Sequence, residues 1–326
     1  MDILDTLHGV RAPGAADVVA PTLRDYATHS PFSDPGAHAA LLDAVGTDPE
    51  SLHRAVTRTI LHYRGEAHRL TDVQQGDVDS RWVATILDVA TQRQPGPLEA
   101  PRADACVVGG CCRDHSLLSV AILRQHGVPA RTRLGFAGYF EAGYSHDHVV
   151  AERWDGTRWV RFDPELGQDD FSFDVHDLPT GEGSPFETAA EAWLAHRAGR
   201  TDLATYGVAP GAVGLEGPSF VQRYVLADVA HRHRVETLLW DGWGSMVMPG
   251  EEPDAARLAL TDQLARLTVA ADTDPDPAGD AATALALCWT SDPRVNPGGQ
   301  VLSFPPLDPE ADPRTVDLTS RPTPPR

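Results

Sequence analysis

The chain contains no lysine: all 27 of its basic residues are arginine, set against 47 acidic residues. The resulting formal charge of −20 disfavours nucleic acid and anionic membrane as partners. No run approaches the ~18 consecutive apolar residues of a membrane-spanning helix. The opening MDILDTLHGVRAPGAADVVA carries acids early and lacks a long apolar stretch, so it does not read as a secretory leader. Cysteine is scarce, with four in 326 residues and two of them adjacent, which does not fit the disulfide framework of a small secreted domain. A cytoplasmic protein is therefore expected.

What is present is organised unevenly. Residues 1–36 are rich in Pro, Gly, Asp and Ala and read as an irregular lead-in. Residues 37–100 form an N-terminal helical part, with apolar spacing of the helical kind over Glu50–Tyr63 and Asp79–Thr91. Residues 101–180 hold the chemistry. A C-terminal helical part follows over 181–271, with helices expected at Thr188–Arg197, Ser219–His233 and Pro253–Ala271. The composition of 272–326, rich in Asp and Pro, reads as a linker and tail. Helices flanking a central helix-then-strands unit argue for an α+β fold.

Within the central unit, Gly109-Gly110 precede an apolar run from Leu117 to Leu123 that ends at His126-Gly127-Val128-Pro129. This reads as a buried helix with a glycine stop and a proline beyond it. Cys112 lies at its start, where free N–H groups and the positive end of the helix dipole favour a thiolate and can hold an oxyanion. Cys111 is its rival, while Cys106 and Cys288 read as ordinary cysteines.

Downstream, HVVAERW and TRWVRFD read as two strands joined by Asp155-Gly156. With a two-residue loop, Trp154 faces Thr157, and counting back places His148 directly opposite Asp163. Directly opposed residues have Cβ atoms ~4.5–5.5 Å apart, within reach of an imidazole–carboxylate hydrogen bond. His146 is the competing base, and Glu165 would oppose it. Cys112, His148 and Asp163 thus have the order and chemistry of a nucleophile, its general base and the carboxylate that orients the base.

GCCRDHSLLSVAILRQHGVPAR and DHVVAERWDGTRWVRFDPE resemble the transglutaminase-like superfamily, in a bacterial subgroup of unassigned role. The resemblance extends to EAWLAHRAGR and to FVQRYVLADVAHRHRVETLLWDGWG, so it is expected over roughly residues 30–305. It implies a papain-type core, in which a buried helix bearing the cysteine packs on an antiparallel sheet bearing the histidine and aspartate. Because Arg113-Asp114 follow it, the resemblance assigns the nucleophile to Cys112, the base to His148, with Glu152 four residues on, and the third member to Asp163. Two departures bear on the cleft: Val149 stands where many relatives carry an aromatic, and the variable residue before the nucleophile is a second thiol. Gln74, Gln75 and Trp82 are candidates for the second oxyanion donor.

The expected activity is cysteine-based acyl chemistry on a small-molecule or peptide amide or thioester, hydrolytic in the manner of an amidase or protease. The alternative is amide-forming transfer of the transglutaminase type. Two further readings are an inactive binding module and a metal-binding protein using Cys106, Cys111, Cys112, His115, His146 and His148. The spacing of those six does not form the paired C-x2-C arrangement of structural zinc. No cofactor or metal is expected.

Overall fold

The computed structural model describes residues 19–168, 171–274, 276, 278–308 and 311–321. The first half of the lead-in and the last five residues of the tail lie outside them. The longer helices are α1 (Pro49–Thr59), α2 (Val83–Arg93), α3 (Cys112–Gln125), α4 (Ala189–Arg197), α5 (Pro218–Arg232), α6 (Ala255–Thr273) and α7 (Asp280–Ser291). The strands are β1 (Ile60–His62), β2 (Val108–Gly110), β3 (Ala130–Glu141), β4 (Tyr144–Trp154), β5 (Trp159–Phe162), β6 (Phe186–Thr188), β7 (Tyr206–Gly207), β8 (Asp241–Gly242), β9 (Gln300–Ser303) and β10 (Arg314–Asp317). Helix and sheet are mixed.

The central sheet runs β5-β4-β3-β6, with β7 pairing in parallel onto β4. Helix α3 packs on β4 and β3. At its start, the Cys111 amide donates to Asp114 Oδ2 at 2.9 Å, which satisfies an N–H that the helix leaves open. At its end, Gly127 takes a φ of +72° and the Val128 amide returns to the Leu123 carbonyl at 2.9 Å, a glycine-terminated stop. Every residue from Cys112 to Arg124 is buried.

A second, parallel pair positions the start of that helix. β1 lies beside β2, and the Tyr63 amide donates to the Gly110 carbonyl at 2.8 Å. The two glycines are required by close approach. A Cβ on Gly109 would sit 2.1 Å from the Gln74 carbonyl oxygen, and one on Gly110 would sit 2.8 Å from Ile60 Cγ2. This contact brings His62 and Tyr63 alongside the Cys111-Cys112 turn.

Buried charge ties the sheet to the C-terminal helices. Glu152 on β4 is paired in register with Arg131 on β3 and Arg161 on β5. Its oxygens take Arg131 Nε at 2.7 Å and Arg161 Nε at 3.1 Å. Arg133 Nη2 reaches Asp228 on α5 and Asp272 on α6, each at 2.8 Å. Burying groups of this kind is costly unless they are paired.

Two expectations fail here. The stretch 272–326 is not simply a linker and tail, since it holds α7, β9 and β10, and β9 pairs with both β8 and β10. Its Asp/Pro-rich composition masks short elements whose buried residues (Val301, Ser303, Leu285, Trp289) are spaced by structure. The β4–β5 hairpin also differs, because Trp154 pairs with Trp159 and the loop is four residues long. Asp155 Oδ1 accepts the amides of Thr157 (2.7 Å) and Arg158 (2.9 Å). This side-chain turn outcompetes the tight two-residue loop.

Candidate active site

Cys112, His148 and Asp163 are 3%, 3% and 1% exposed. Cys112 is the first residue of α3 and His148 sits on β4, and both line one cavity of about 1340 Å³. Asp163 lies just past β5, with its amide bonded to the Val175 carbonyl at 2.9 Å. His148 Nε2 is 2.7 Å from Asp163 Oδ2.

The two residues meet, but not as the strand count had placed them. In the observed register they are diagonal neighbours rather than directly opposed. The two-residue slip preserves the face, because side chains alternate with a period of two, so diagonal reach still closes the bond. With Nε2 held by the carboxylate, Nδ1 is the nitrogen left for a substrate or thiol proton.

Asp163 accepts two further hydrogen bonds. Its Oδ2 also accepts the Tyr139 hydroxyl at 2.7 Å, and its Oδ1 accepts the Glu165 amide at 3.0 Å. Burial alone would push Asp163 up, but the His148 ring and these hydrogen bonds hold it below the ordinary carboxylate value. Burial works against a charged imidazole at His148, yet the neighbouring Asp163 carboxylate outweighs it and holds the ring above its ordinary value. Tyr139 is pushed well up, by burial first and by Asp163 second, so it stays protonated and remains a donor.

The thiol behaves differently from the expectation drawn from its helix-start position. Its hydrogen bond to the Cys111 sulfur comes first, then burial, then the charges of Glu165 and Asp147, and together they push Cys112 well above the ordinary thiol value. The resting pair is therefore a neutral thiol beside a basic imidazole. The adjacent cysteine, burial and the two carboxylates all act in the same direction, against the helix-start effect.

The other expected residues divide between the cavity wall and the rest of the fold. His146 also lines it, but its Nδ1 faces the Val208 carbonyl and its Nε2 faces Glu141, both at 3.1 Å. Glu165 lines the cavity instead of opposing His146. The Gln74 amide is consumed as a strut between the carbonyls of Asp104 (2.6 Å) and Val107 (3.0 Å). Trp82 stacks on Phe32 in the core. Gln74, Gln75 and Trp82 do not line the cavity, which removes all three as oxyanion donors.

His62 is the residue that sequence reading missed. It lines the cavity, and its Nδ1 accepts the amides of Arg64 (3.3 Å) and Gly65 (3.1 Å). That pattern places the ring proton on Nε2. Burial pushes the ring below its ordinary value, so it is a neutral donor near pH 7. The clue in the sequence was the HYRGE turn at the end of the Glu50–Tyr63 run, where the expected helix stops at Thr59 and gives way to β1. Val149, by contrast, is buried in the main core. The aromatic shield of His148 comes from β3, where the Phe140 ring lies 5.0 Å and the Tyr139 ring 6.1 Å away.

Residues 53–164 match the family model described as the transglutaminase-like superfamily. That stretch is a transglutaminase-like domain. It contains Cys112, His148 and Asp163 and stops short of the 30–305 expected from the resemblance, leaving α4 to α7 outside the match. A crystal structure from Cytophaga hutchinsonii described as a "Putative Cysteine Protease" is 18% identical and aligns with a TM-score of 0.28. The alignment covers 43% of this chain and 40% of that one. No curated protein matches the chain. Among the described residues, no helix is long and apolar enough to cross a membrane, and no group of three or more His, Cys, Asp or Glu is arranged to hold a metal ion.

Proposed function

We propose that the transglutaminase-like domain is a cysteine acyl-enzyme catalyst of papain-type arrangement, with Cys112 as nucleophile, His148 as general base and Asp163 as orienting carboxylate. The supporting observation is the 2.7 Å His148–Asp163 contact on the wall of the cavity that also exposes Cys112. Because the resting thiol is neutral, His148 Nδ1 takes its proton as sulfur attacks an amide or thioester carbonyl. The same nitrogen then protonates the leaving group, and Asp163 stabilises the imidazolium between the two transfers. Negative charge developing on the carbonyl oxygen is met by N–H groups at the start of α3 and by His62 Nε2–H. Water resolving the thioester makes the activity hydrolytic.

The second reading, transfer of the acyl group to an amine, is favoured by the size of the cleft. Its volume of about 1340 Å³ exceeds the ~300–1,000 Å³ of a site for one small ligand, leaving space for an acceptor. The test of acyl chemistry itself is to treat the protein with an activated ester and find the thioester on Cys112 by mass spectrometry. Absence of the adduct, or its appearance on Cys111, would defeat the proposal.

A further inference from the structure

Among the described residues, buried arginines follow one rule with one exception. Arg81, Arg113, Arg124, Arg131, Arg133, Arg161 and Arg232 are all buried, and each pairs with a carboxylate. Arg223 on α5 is 5% exposed and, among the described residues, forms neither an ion pair nor a hydrogen bond. Its Nε and Nη1 are both sealed from solvent without an acceptor. A buried, unpaired cation is among the costliest groups a fold can carry, and burial accordingly pushes Arg223 below the ordinary arginine value.

The setting holds the charge without neutralising it. The guanidinium carbon lies 5.8 Å from the Phe220 ring and 6.0 Å from the Phe304 ring, distances at which ring faces attract a cation. Arg223 and both rings line the same cavity as Cys112 and His148. The next residue, Tyr224, donates its hydroxyl to Asp147, the neighbour of His148. One helix turn thus connects the unpaired cation to the reacting end of the cleft. Phe304, from the segment whose composition read as a tail, completes the clamp.

We propose that Arg223 is the receptor for a carboxylate of the substrate, so that the cleft takes acyl donors carrying a free carboxylate remote from the carbonyl that Cys112 attacks. The proposal rests on the acyl-transfer reading for which carbonyl reacts, but the anion site stands on Arg223 alone. A carboxylate fits better than a phosphate dianion because one guanidinium between two apolar rings balances one negative charge. A second negative charge would be left uncompensated there. A planar carboxylate also matches the planar fork of the guanidinium.

The test uses full-length Cys112→Ala protein, so that no chemistry follows binding. The probes are the 4-nitroanilides of glutaric, adipic and pimelic acid, each compared with its terminal primary amide by isothermal titration calorimetry. At one or more chain lengths the acid should bind about 10- to 100-fold tighter than the amide, the range of a charge-assisted hydrogen bond. Adding Arg223→Met should bring the acid down to the amide's affinity and leave the amide's own affinity unchanged. Removing an unpaired buried charge should also raise the melting temperature of that variant. If Arg223→Met does not fold, Arg223→Gln is read the same way.

Equal binding of acid and amide at every length would overturn the proposal. So would an acid preference that survives loss of Arg223, as it would if Arg102 on the same cavity wall were the receptor. Tighter binding of the matching terminal phosphate esters would overturn the carboxylate assignment. Failure of the wild type to form a thioester with activated esters would sink the acyl-transfer reading while leaving this binding result intact.

Discussion

His148 and Tyr139 share one oxygen: the imidazole Nε2 and the phenol hydroxyl each lie 2.7 Å from Oδ2 of Asp163. The tyrosine therefore drains electron density from the carboxylate that charges the imidazole. Asp163 raises the His148 pKa, and a group with a raised pKa stays protonated to higher pH. The acid limb of ester turnover should accordingly lie above about 6.5, the ordinary histidine value. Asp163→Asn should move that limb to lower pH and reduce turnover by orders of magnitude, as carboxylate loss does in other triads. Tyr139→Phe should move it to higher pH by freeing the carboxylate. A pH–rate profile unmoved by both substitutions would show that His148 is not the titrating base.

The two thiols differ in what they do. Cys112→Ala should abolish labelling by low-dose iodoacetamide. Cys111→Ala should keep the label on Cys112 and bring labelling to lower pH, because contact with the Cys111 sulfur is the first cause of the raised Cys112 value. Peptide mapping after alkylation at a series of pH values reads both outcomes. A label on Cys111 in the wild type, or a labelling profile unchanged in Cys111→Ala, would contradict this assignment.

The sequence made Cys112, His148 and Asp163 legible because each sits at an element boundary with strong local signals: a glycine-flanked helix start, a β-branched run and a turn. Four things were hidden, each for a physical reason. The hairpin length depended on whether the Asp155 side chain or the backbone would make the turn, and both use the same Asp-Gly. The sign of the Cys112 shift depended on a sulfur–sulfur contact and on burial, neither of which is a local propensity. The arginine pairings span wide sequence separations, as from Arg133 to Asp272 and from Arg81 to Asp241, so the exception at Arg223 cannot be seen until the others are paired. Short strands such as β9, with burial alternating over four residues, disappear under a composition average.

His62 offers a neutral Nε2–H to an oxyanion, and that role has a separable signature. His62→Phe should lower ester turnover by about 10²- to 10³-fold, the usual cost of losing one oxyanion donor. Alkylation by iodoacetamide displaces iodide and develops no oxyanion, so its rate on Cys112 should be nearly unaffected. Parallel loss of both rates would instead mark His62 as a support for the thiol itself.

Glu152 offsets three buried arginines, and its removal should cost stability without touching the chemistry. Burial alone would raise its pKa, but Arg131, Arg133 and Arg161 bring it to about 2, against an ordinary 4.5. A carboxylate lowered on folding stabilises the protein fully above its unfolded value, and the contribution fades as pH falls from about 4.5 towards 2. Glu152→Gln should therefore lose about 3–5 kcal/mol at pH 7, the cost of orphaning a buried charge, and the gap to wild type should narrow near pH 3. Urea melts at the two pH values measure this. A gap equal at both would mean that the arginines are compensated elsewhere.

Which nucleophile resolves the thioester is the remaining chemical choice. With no lysine in the chain, extensive self-crosslinking through a lysine amine is unavailable, so an acceptor must come from outside. Glu165 and Asp147 both lower the stability of negative charge on Cys112 and line the cavity beside it, and two carboxylates there would attract a cationic amine. Water needs no such site, and hydrolysis is the expected outcome. Acyl-enzyme formed from an activated ester is challenged with increasing amounts of diverse primary amines, and acid and amide products are quantified together. Acid release unchanged across all amines supports a hydrolase. Amide formation that saturates with amine concentration, with a matching loss of acid, would reveal a bound acceptor and make the protein an amide-forming transferase.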